Sequence, residues 1–499
     1  MLHNLNISNT LKGQNHQHRA THCDWRTEPL QALKGRQQTL WLEPFQGLKS
    51  HIYSFHRALP DANAKRLSAF TAVNMKFICV ILFIHFQLTA VMGQLKFDDY
   101  FESKTLRFDF YLAGNAQRQN VFVDCFREEP QWGGPLTHLT DSPDYGEYCY
   151  RVYDEASGTL IFSKGFCSLF QEWRTTDEAQ TVNRSYTQVI VMPYPKKNIR
   201  LEILTRSYDT GVFEPLFQTS LDPKSIYINR EKRTEYPVTQ ILYNGNPHQK
   251  VDLVFVAEGY TKDEMDKFRK DAAQFTDALF RTQPYSDRKN DFNVWAVECP
   301  SEETGVDIPG ENIWKNTALK SHFWTFGIDR YLTAPDLAAI RDKVWNLPCD
   351  AVFLIANSGK YGGGGIYNYY GMSTADHPQS YPVFVHELGH SFAGLADEYF
   401  NSEVAYNDFY NLKTEPWEPN ITTLVNFDAK WKNMLPAATP VPTPADSSED
   451  KTGVYEGGGY VTKGVFRPMI NCRMRSNGAV FCPVCQRAIN LMIDCTIDQ

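Results

Sequence analysis

The residues best suited to chemistry lie in one short run, His386-Glu387-Leu388-Gly389-His390. Residues four apart on an α-helix lie on the same face, so His386 and His390 can offer imidazole nitrogens to one zinc ion. Glu387 lies roughly a hundred degrees further around the helix, within reach of a water molecule bound to that ion. Zinc lowers the pKa of such a water toward about 7, and a carboxylate can then take its proton. The run therefore predicts a zinc site that hydrolyses amide bonds, with Glu387 as the general base.

The sequence around this run predicts a buried helix that positions it. Pro382 stands where the first helical turn would begin, a position at which proline is tolerated. Gly394 offers a place for the helix to end. Apolar side chains that would anchor the helix occur at Val383, Phe384, Leu388, Phe392 and Leu395. A helix buried in this way needs a reason for its polar residues, and a metal site supplies one.

A catalytic zinc ion needs a third protein ligand. No histidine follows His390 in the sequence, which excludes a histidine contributed from downstream. Asp397 is the first candidate, because a short carboxylate side chain suits a ligand held close on the turn after the helix. Glu398 is the alternative, and Glu403 or Glu415 would serve if a later segment returned to the metal.

Strands and helices alternate along the chain before the histidine pair. Residues 251–256 and 350–356 are apolar on nearly both faces, as expected of buried strands, and residues 293–297 are a further candidate strand. A capping box begins at Thr261 and a second helix start at residues 333–336. The alternation predicts an α/β (α+β) fold in which helices cover a mixed sheet.

Four consecutive glycines lie within residues 361–371 and run into an aromatic stretch. No Lys-Ser or Lys-Thr follows them, which excludes a phosphate-binding loop. The pattern favours a loop that leads to an edge strand. Such an edge beside the histidine helix could pair with an extended peptide through backbone hydrogen bonds, and the alternative is a simple flexible connection.

The sequence of residues 94–215 predicts a β-rich module. Apolar and polar residues alternate over 106–112, and further short apolar runs occur at 120–123, 148–153, 159–162, 187–192 and 200–204. Clusters of Gly, Pro and Asp separate the runs, which is typical of a small antiparallel β-sandwich. No group of catalytic residue types occurs here, so we expect a role in packing or substrate positioning rather than independent binding.

A secretory signal peptide is predicted just before this module. Met75 begins a basic start, residues 77–84 form an apolar core, and cleavage after the small residue Gly93 would leave Gln94 first. A membrane anchor is the alternative, but a span needs about 20 apolar residues and this run is shorter. We expect export to the periplasm, the cell surface or the medium, without a stable membrane anchor. Residues 1–74 would then be a mis-assigned extension.

Nine cysteines follow Gly93, and four of them lie in the last 28 residues. The pair Cys482 and Cys485, in a CxxC pattern, could form a zinc or redox site. No second CxxC occurs in the chain. In an exported protein we therefore expect a disulfide that joins this pair to Cys472 or Cys495.

Three ordered segments carry a family resemblance: LVFVAEGYTKDEMDKF (253–268), HELGHSFAGLADEY (386–399) and NCRMRSNGAVFCPVCQ (471–486). Together they resemble the bacterial IgA-peptidase family of secreted zinc metallopeptidases, over roughly residues 216–499. Residues 95–215 resemble the β-sandwich module that precedes the peptidase domain in relatives. Three motifs in order are far more specific than the histidine pattern alone.

The resemblance implies a metzincin-like peptidase domain. It implies that His386, His390 and Asp397 bind zinc, that Glu387 is the general base, and that Met474 forms the Met-turn beneath the metal. The sequence departs from the common metzincin pattern in one respect, because Ala396 occupies the position of the usual third histidine. The third ligand is the assignment that this departure affects.

These observations define an expected organisation: an extension (1–74), a signal peptide (75–93), a β-sandwich module (94–215), a linker or start of the catalytic domain (216–248) and a zinc metallopeptidase domain (249–499). The formal net charge of −8 argues against a nucleic-acid partner.

The expected function is that of a secreted zinc endopeptidase acting on extracellular protein or peptide substrates, with host glycoproteins among the candidates. Tyr399 or a tyrosine of residues 367–370 is a candidate to assist the oxyanion. Two alternatives remain, a secreted glycan- or mucin-binding protein with a structural zinc ion, and a zinc amidase that acts on cell-wall peptides.

Overall fold

The computed structural model describes residues 95–400, 409–445 and 451–498. The expected N-terminal extension, the expected signal peptide and Glu403 lie outside these ranges. The described residues fall within one compact unit, 94–499. None of the helices in the described ranges has the length and apolar character that crossing a lipid bilayer requires.

The N-terminal part of the chain consists mainly of strands. Its elements are α1 (Phe97–Tyr100), β1 (Phe101–Gly114), β2 (Gln119–Glu129), β3 (Tyr148–Asp154), β4 (Leu160–Phe166), α2 (Leu169–Arg174), β5 (Arg184–Pro195), β6 (Ile199–Arg206) and β7 (Phe213–Leu221). The strands form two antiparallel sheets, with orders β2-β1-β5 and β4-β3-β6-β7. Both sheets contribute apolar side chains to one core, so the alternation of residue types correctly predicted a β-rich region.

Strand β1 is buried on both of its faces. Leu106, Phe108 and Phe110 lie on one face of the strand and pack in the core that the two sheets share. The other face holds Arg107 and Asp109, which are only 0% and 2% exposed. Alternation predicts the strand from its period of two, but it does not predict that the polar face is covered by the rest of the chain.

The C-terminal part is built around a mixed sheet with helices packed on it. Its elements are β8 (Val238–Leu242), β9 (Val251–Glu258), α3 (Met265–Leu279), β10 (Phe292–Val297), α4 (Leu337–Val344), β11 (Ala351–Ala356), β12 (Gly363–Ile366), β13 (Tyr370–Thr374), α5 (Ser380–Ala393), β14 (Tyr455–Gly458), β15 (Val461–Arg467) and α6 (Pro483–Thr496). The sheet has the order β12-β13-β11-β9-β10-β8. Its four inner strands are parallel, and each edge strand is antiparallel to its neighbour. The predicted mixed α/β arrangement is therefore present.

Local signals account for the helices on this sheet. The predicted capping box of Thr261 and Glu264 is formed just before α3. The Asp336 side chain accepts hydrogen bonds from two backbone N–H groups at the start of α4. Helix α6 was not predicted, although Pro483 directly after the N-cap residue Cys482 is a start signal that the sequence does contain.

The glycine run was predicted as a loop before an edge strand, and this was wrong in detail. Three of the four glycines form the edge strand β12 itself, and the turn into β13 falls on residues 367–369. A Cβ added to Gly363 would lie 2.7 Å from Val383 Cγ1 and 3.1 Å from Glu387 Cγ, both on α5. The glycines therefore let the sheet edge approach this helix closely.

The disulfide expected near the C-terminus is not formed. All nine cysteines in the described ranges are free thiols. Cys472 Sγ and Cys485 Sγ lie 3.7 Å apart, whereas a disulfide bond is about 2.05 Å long. Cys495, at the other end of α6, has its Sγ 3.7 Å from Ser142 Oγ instead.

A buried ion network joins β1 to helix α4. Arg107 Nε lies 2.5 Å from Asp109 Oδ1, and Arg107 Nη1 lies 2.5 Å from Asp342 Oδ1 on the helix. Arg341 on the same helix donates to Glu129 Oε2 at 2.7 Å. Because Arg107 is fully buried, its charge is tolerated only while these carboxylates remain in place.

We predict that Arg107→Ala destabilises the protein strongly, because it leaves the carboxylates of Asp109 and Glu129 buried with less compensation. Breaking a buried pair from one side costs about 3–5 kcal/mol. The matched control is Arg184→Ala, which removes an ion pair with Glu178 whose side chains are 51% and 42% exposed and should cost less than about 1 kcal/mol. Chemical denaturation measures both, and equal losses in the two variants would contradict the role of the network.

Candidate metal centre

Helix α5 carries the predicted histidine pair and is fixed on the central sheet by aromatic packing. The ring of Phe384 lies 4.7 Å from that of Phe353, 5.1 Å from that of Phe275 and 5.6 Å from that of Phe255, centroid to centroid. Each such pair adds about 0.5–1.5 kcal/mol beyond the area it buries. The helix is therefore a rigid support for the polar side chains on its opposite face.

The helix ends at Gly394, as predicted, and the chain then turns back toward the histidines. Gly394 has a φ of +63°, in the left-handed region, and its N–H donates to the carbonyls of Gly389 and His390. A side chain at this position would be strained by the backbone and would also lie 2.9 Å from Trp417 Cζ3. The turn brings Asp397 to the two histidines.

Three side-chain atoms converge at this point. His386 Nε2 and His390 Nε2 are 3.1 Å apart, and Asp397 Oδ1 lies 3.0 Å from the first and 3.3 Å from the second. Ligands bound tetrahedrally to zinc at 2.0–2.1 Å are about 3.3 Å apart. Asp397 Oδ1 is buried, and apart from these two imidazole contacts it has no hydrogen-bond partner among the described residues. The spacing and the otherwise unpartnered oxygen both fit a bound zinc ion.

Hydrogen bonds on the far side of each group fix its orientation. His386 Nδ1 is 2.9 Å from the carbonyl oxygen of Arg473, and His390 Nδ1 is 2.5 Å from that of Leu395. A carbonyl oxygen only accepts, so each Nδ1 carries a hydrogen, and Nε2 is the nitrogen of each ring that can offer a lone pair to a metal. The second oxygen of Asp397 accepts from the Tyr460 hydroxyl at 2.7 Å, the kind of contact that orients a metal ligand.

The charges at the site favour a cation. Burial would raise the pKa of Asp397, but the imidazoles of His390 and His386 hold it well below its usual range. Burial would lower the pKa of His390, but the Asp397 carboxylate raises it to about 9. The carboxylate therefore stays ionised and attracts positive charge to the point where the three side chains meet.

Glu387 lies on the cleft side of the same helix. It is half-buried and borders a cleft of about 160 Å³ together with both histidines and Asp397. Burial raises the pKa of Glu387 above its ordinary value, and the neighbouring histidines oppose this. A carboxylate with a raised pKa in a cleft is suited to accepting and returning a proton.

Met474 lies beneath the helix turn that carries the histidines. It is fully buried, and a Cβ added to Gly389 would lie 3.0 Å from its Sδ. The backbone N–H of Glu398 donates to the Met474 carbonyl at 2.8 Å. The segment around Met474 thus supports both the helix and the returning chain.

The other candidates for the third ligand lie elsewhere. The Glu398 Oε1 accepts from Asn420 Nδ2 at 3.0 Å and from Cys485 Sγ at 3.3 Å. The Glu415 Oε2 accepts from the backbone N–H of Asn426 at 2.8 Å. Among the described candidates, Asp397 is the one that the structure brings to the histidine pair.

Several cleft residues were not identified from the sequence. They are Glu147, Glu172, Arg330, Trp417, Glu418 and Tyr460. Glu147 and Glu172 come from the N-terminal β-rich part, and Trp417 Nε1 donates to Glu147 Oε1 at 2.9 Å. Burial, and then the carboxylate of Glu147, raise the pKa of Glu418 to about 7. No local pattern marks these residues, because each enters the site through a contact with a distant segment.

The tyrosines singled out from the sequence have different positions. Tyr399 lines the cleft beside Asp397. Tyr367 also borders the cleft, but its hydroxyl faces Met492 Sδ at 3.9 Å. Tyr369 and Tyr370 direct their hydroxyls away, to the backbone carbonyls of Thr187 and Ala334. Tyr399 is therefore the better placed candidate to contact a substrate.

The outer edge of β12 is largely occupied. The N–H of Gly363 donates to the carbonyl oxygen of Arg330. The carbonyl oxygen of Gly363 accepts from the N–H of Leu332. The carbonyl of Tyr367 accepts from the N–H of Cys167 at 2.9 Å. Gly365 lies between these contacts and borders the cleft. Pairing of a peptide with this edge, as the sequence suggested, is thus confined to a short stretch.

Comparison with known families adds to the geometry. Residues 239–452 and 445–493 match the family described as IgA Peptidase M64, and residues 96–217 match the one described as Peptidase M64 N-terminus. No curated protein matches the chain. The two family matches confirm the resemblance that the three sequence segments indicated. The chain belongs to the IgA Peptidase M64 family and is a metallopeptidase that acts on peptide bonds of proteins or peptides.

Proposed function

We propose that the protein is a secreted zinc endopeptidase, with a metzincin-like site in which His386, His390 and Asp397 hold the metal. The observation that carries the proposal is the convergence of three ligand atoms 3.0–3.3 Å apart, one of them a buried carboxylate oxygen that has no hydrogen-bond partner apart from the two imidazoles. The packing of Met474 beneath the histidines supports its proposed role as a Met-turn.

The residues of the site have distinct roles in this proposal. Zinc bound there would lower the pKa of a coordinated water and polarise the scissile carbonyl. Glu387 accepts the proton of the attacking water and returns it to the leaving amine. Tyr399, beside Asp397 in the cleft, is placed to donate a hydrogen bond to the substrate carbonyl oxygen.

The substrate is proposed to be an extracellular protein, with host glycoproteins among the candidates. Membership of a peptidase family disfavours the alternative of a glycan- or mucin-binding protein with a purely structural zinc ion. An activity assay distinguishes the endopeptidase from the other alternative, an amidase that acts on cell-wall peptides. Cleavage of a protein-derived peptide library but not of purified murein supports the endopeptidase, and the reverse contradicts it.

We predict that Glu387→Gln lowers kcat by about 10²–10⁴-fold, because the amide cannot accept the proton of the water. The variant should keep the zinc content of the wild type, since the three proposed ligands are untouched. Peptide hydrolysis and metal analysis by mass spectrometry test this. Undiminished hydrolysis in the zinc-loaded variant would overturn the mechanism.

The third ligand has its own test. Asp397→Ala should lose one equivalent of zinc relative to the wild type, because it removes one of three protein ligands. Tyr460→Phe removes only the hydrogen bond to the second carboxylate oxygen and should weaken zinc binding about 10–100-fold. Glu415→Gln is the matched control and should bind zinc like the wild type. Full retention of zinc in Asp397→Ala would refute the assignment.

Export is tested on the cellular product. We propose that translation begins at Met75 and that the mature chain begins at Gln94, from the basic start, apolar core and small residues of 75–93. Mass spectrometry of the protein recovered outside the cytoplasm should show Gln94 as the first residue. Recovery of peptides from residues 1–74 in that product would disprove the proposal.

A further inference from the structure

A second group of metal-ligating side chains lies outside the site described above. It consists of Cys472, Cys482, Cys485 and Glu398, here called the thiol cluster, and all four residues are buried. Their sulfur and carboxylate oxygen atoms lie within 4.8 Å of one another. The proposed mechanism uses none of them.

Two spacings within the thiol cluster match those of a tetrahedral metal site. Cys472 Sγ and Cys485 Sγ are 3.7 Å apart, and sulfurs bound to zinc at about 2.3 Å are separated by about 3.8 Å. Cys485 Sγ lies 3.3 Å from Glu398 Oε1, close to the separation of about 3.5 Å for a sulfur and an oxygen on one zinc ion.

The backbone around the cysteines is arranged for thiolate ligands. The N–H of Cys482 donates to Cys472 Sγ at 3.3 Å, and the N–H of Cys485 donates to Cys482 Sγ at 3.4 Å. Cys482 is also the N-cap residue of helix α6, where the helix dipole favours negative charge. The backbone donors at Cys472 and Cys482, and the helix start at Cys482, favour negative charge on these two sulfurs.

Glu398 supplies the observation that points to a cation. It is fully buried, its Oε1 is held by Asn420 Nδ2 at 3.0 Å, and its Oε2 has no hydrogen-bond partner among the described residues. The negative charge of a buried carboxylate with one oxygen unpartnered is costly unless a cation binds the group. A disulfide between two of the three cysteines would leave the third thiol and this carboxylate without a cation, whereas a metal ion engages all four side chains.

We propose that the thiol cluster binds one structural Zn²⁺ ion through Cys472, Cys482, Cys485 and Glu398. Thiolate ligands select zinc over magnesium or calcium, and four protein ligands leave no open position for a water or substrate. Binding releases the thiol protons to solvent, and the hydrogen bond from Cys485 to Glu398 is replaced by bonds to the metal.

The ion would fix two segments of the catalytic site at once. Glu398 directly follows the proposed ligand Asp397, and Cys472 lies two residues before Met474. The inference does not depend on the proposed function, because the cluster shares no ligand with the histidine site.

The test counts zinc in the purified wild-type protein and in four variants. Mass spectrometry should find two equivalents in the wild type and one in His386→Ala/His390→Ala, in which the thiol cluster is intact. Cys482→Ser and Glu398→Gln should each lose one equivalent relative to the wild type. The matched control is Cys299→Ser, at a buried free cysteine outside the cluster, which should lose none.

A cobalt experiment avoids any change to the cluster, in case Cys482→Ser fails to fold. His386→Ala/His390→Ala loaded with Co²⁺ should show the near-ultraviolet sulfur-to-cobalt charge-transfer absorption of thiolate ligands. If the wild type and the histidine variant both hold one equivalent of zinc, the proposed catalytic site fails while the present inference stands. No zinc in the histidine variant, iron or copper in place of zinc, or a disulfide between two of the three cysteines would overturn it.

Discussion

The position of residues 395–399 is the constraint on which the rest of the site depends. Gly394 turns the chain back, and backbone hydrogen bonds then hold the segment from two sides, to the Met474 carbonyl at 2.8 Å and from the Gly459 N–H at 2.9 Å. The Asn420 side chain accepts a hydrogen bond from the N–H of Ala396 and donates one to its C=O, which fixes the middle of the segment. The side chain of Asp397 therefore faces the histidines, and that of the next residue, Glu398, faces the thiol cluster.

The parts of the fold and site that depend on local spacing could be predicted from the sequence. The histidine pair follows from the helical repeat, and Gly394 marks the end of the helix because few other residues tolerate its conformation. The capping box at Thr261 and the buried strands of the central sheet also follow from patterns over a few residues. Asp397 was favoured over its rivals for a local reason, because its short carboxylate side chain suits a ligand held close on the turn after the helix.

The parts that depend on distant contacts could not be predicted. Tyr460 meets Asp397 across 63 residues of sequence, and Trp417 meets Glu147 across 270. Neither segment has a periodicity that specifies its partner. The cysteines show the same limit, because a CxxC pair indicates that two sulfurs are close but not that a carboxylate 87 residues away joins them. The buried face of β1 was missed because its Arg107 is covered by helix α4, where its partner Asp342 lies 235 residues later in the sequence.

The N-terminal β-rich part has a consequence for how this protein can change. Two carboxylates that border the cleft, Glu147 and Glu172, belong to it, and its Arg107 is paired with a helix of the peptidase part. A module joined only by a linker can be exchanged freely for another in evolution or in engineering. Here an exchange would alter the cleft wall and leave buried charges without their partners. Neither part can therefore be exchanged without matching changes in the other. Substitutions in the β-rich part can alter substrate preference, although it holds no proposed catalytic residue.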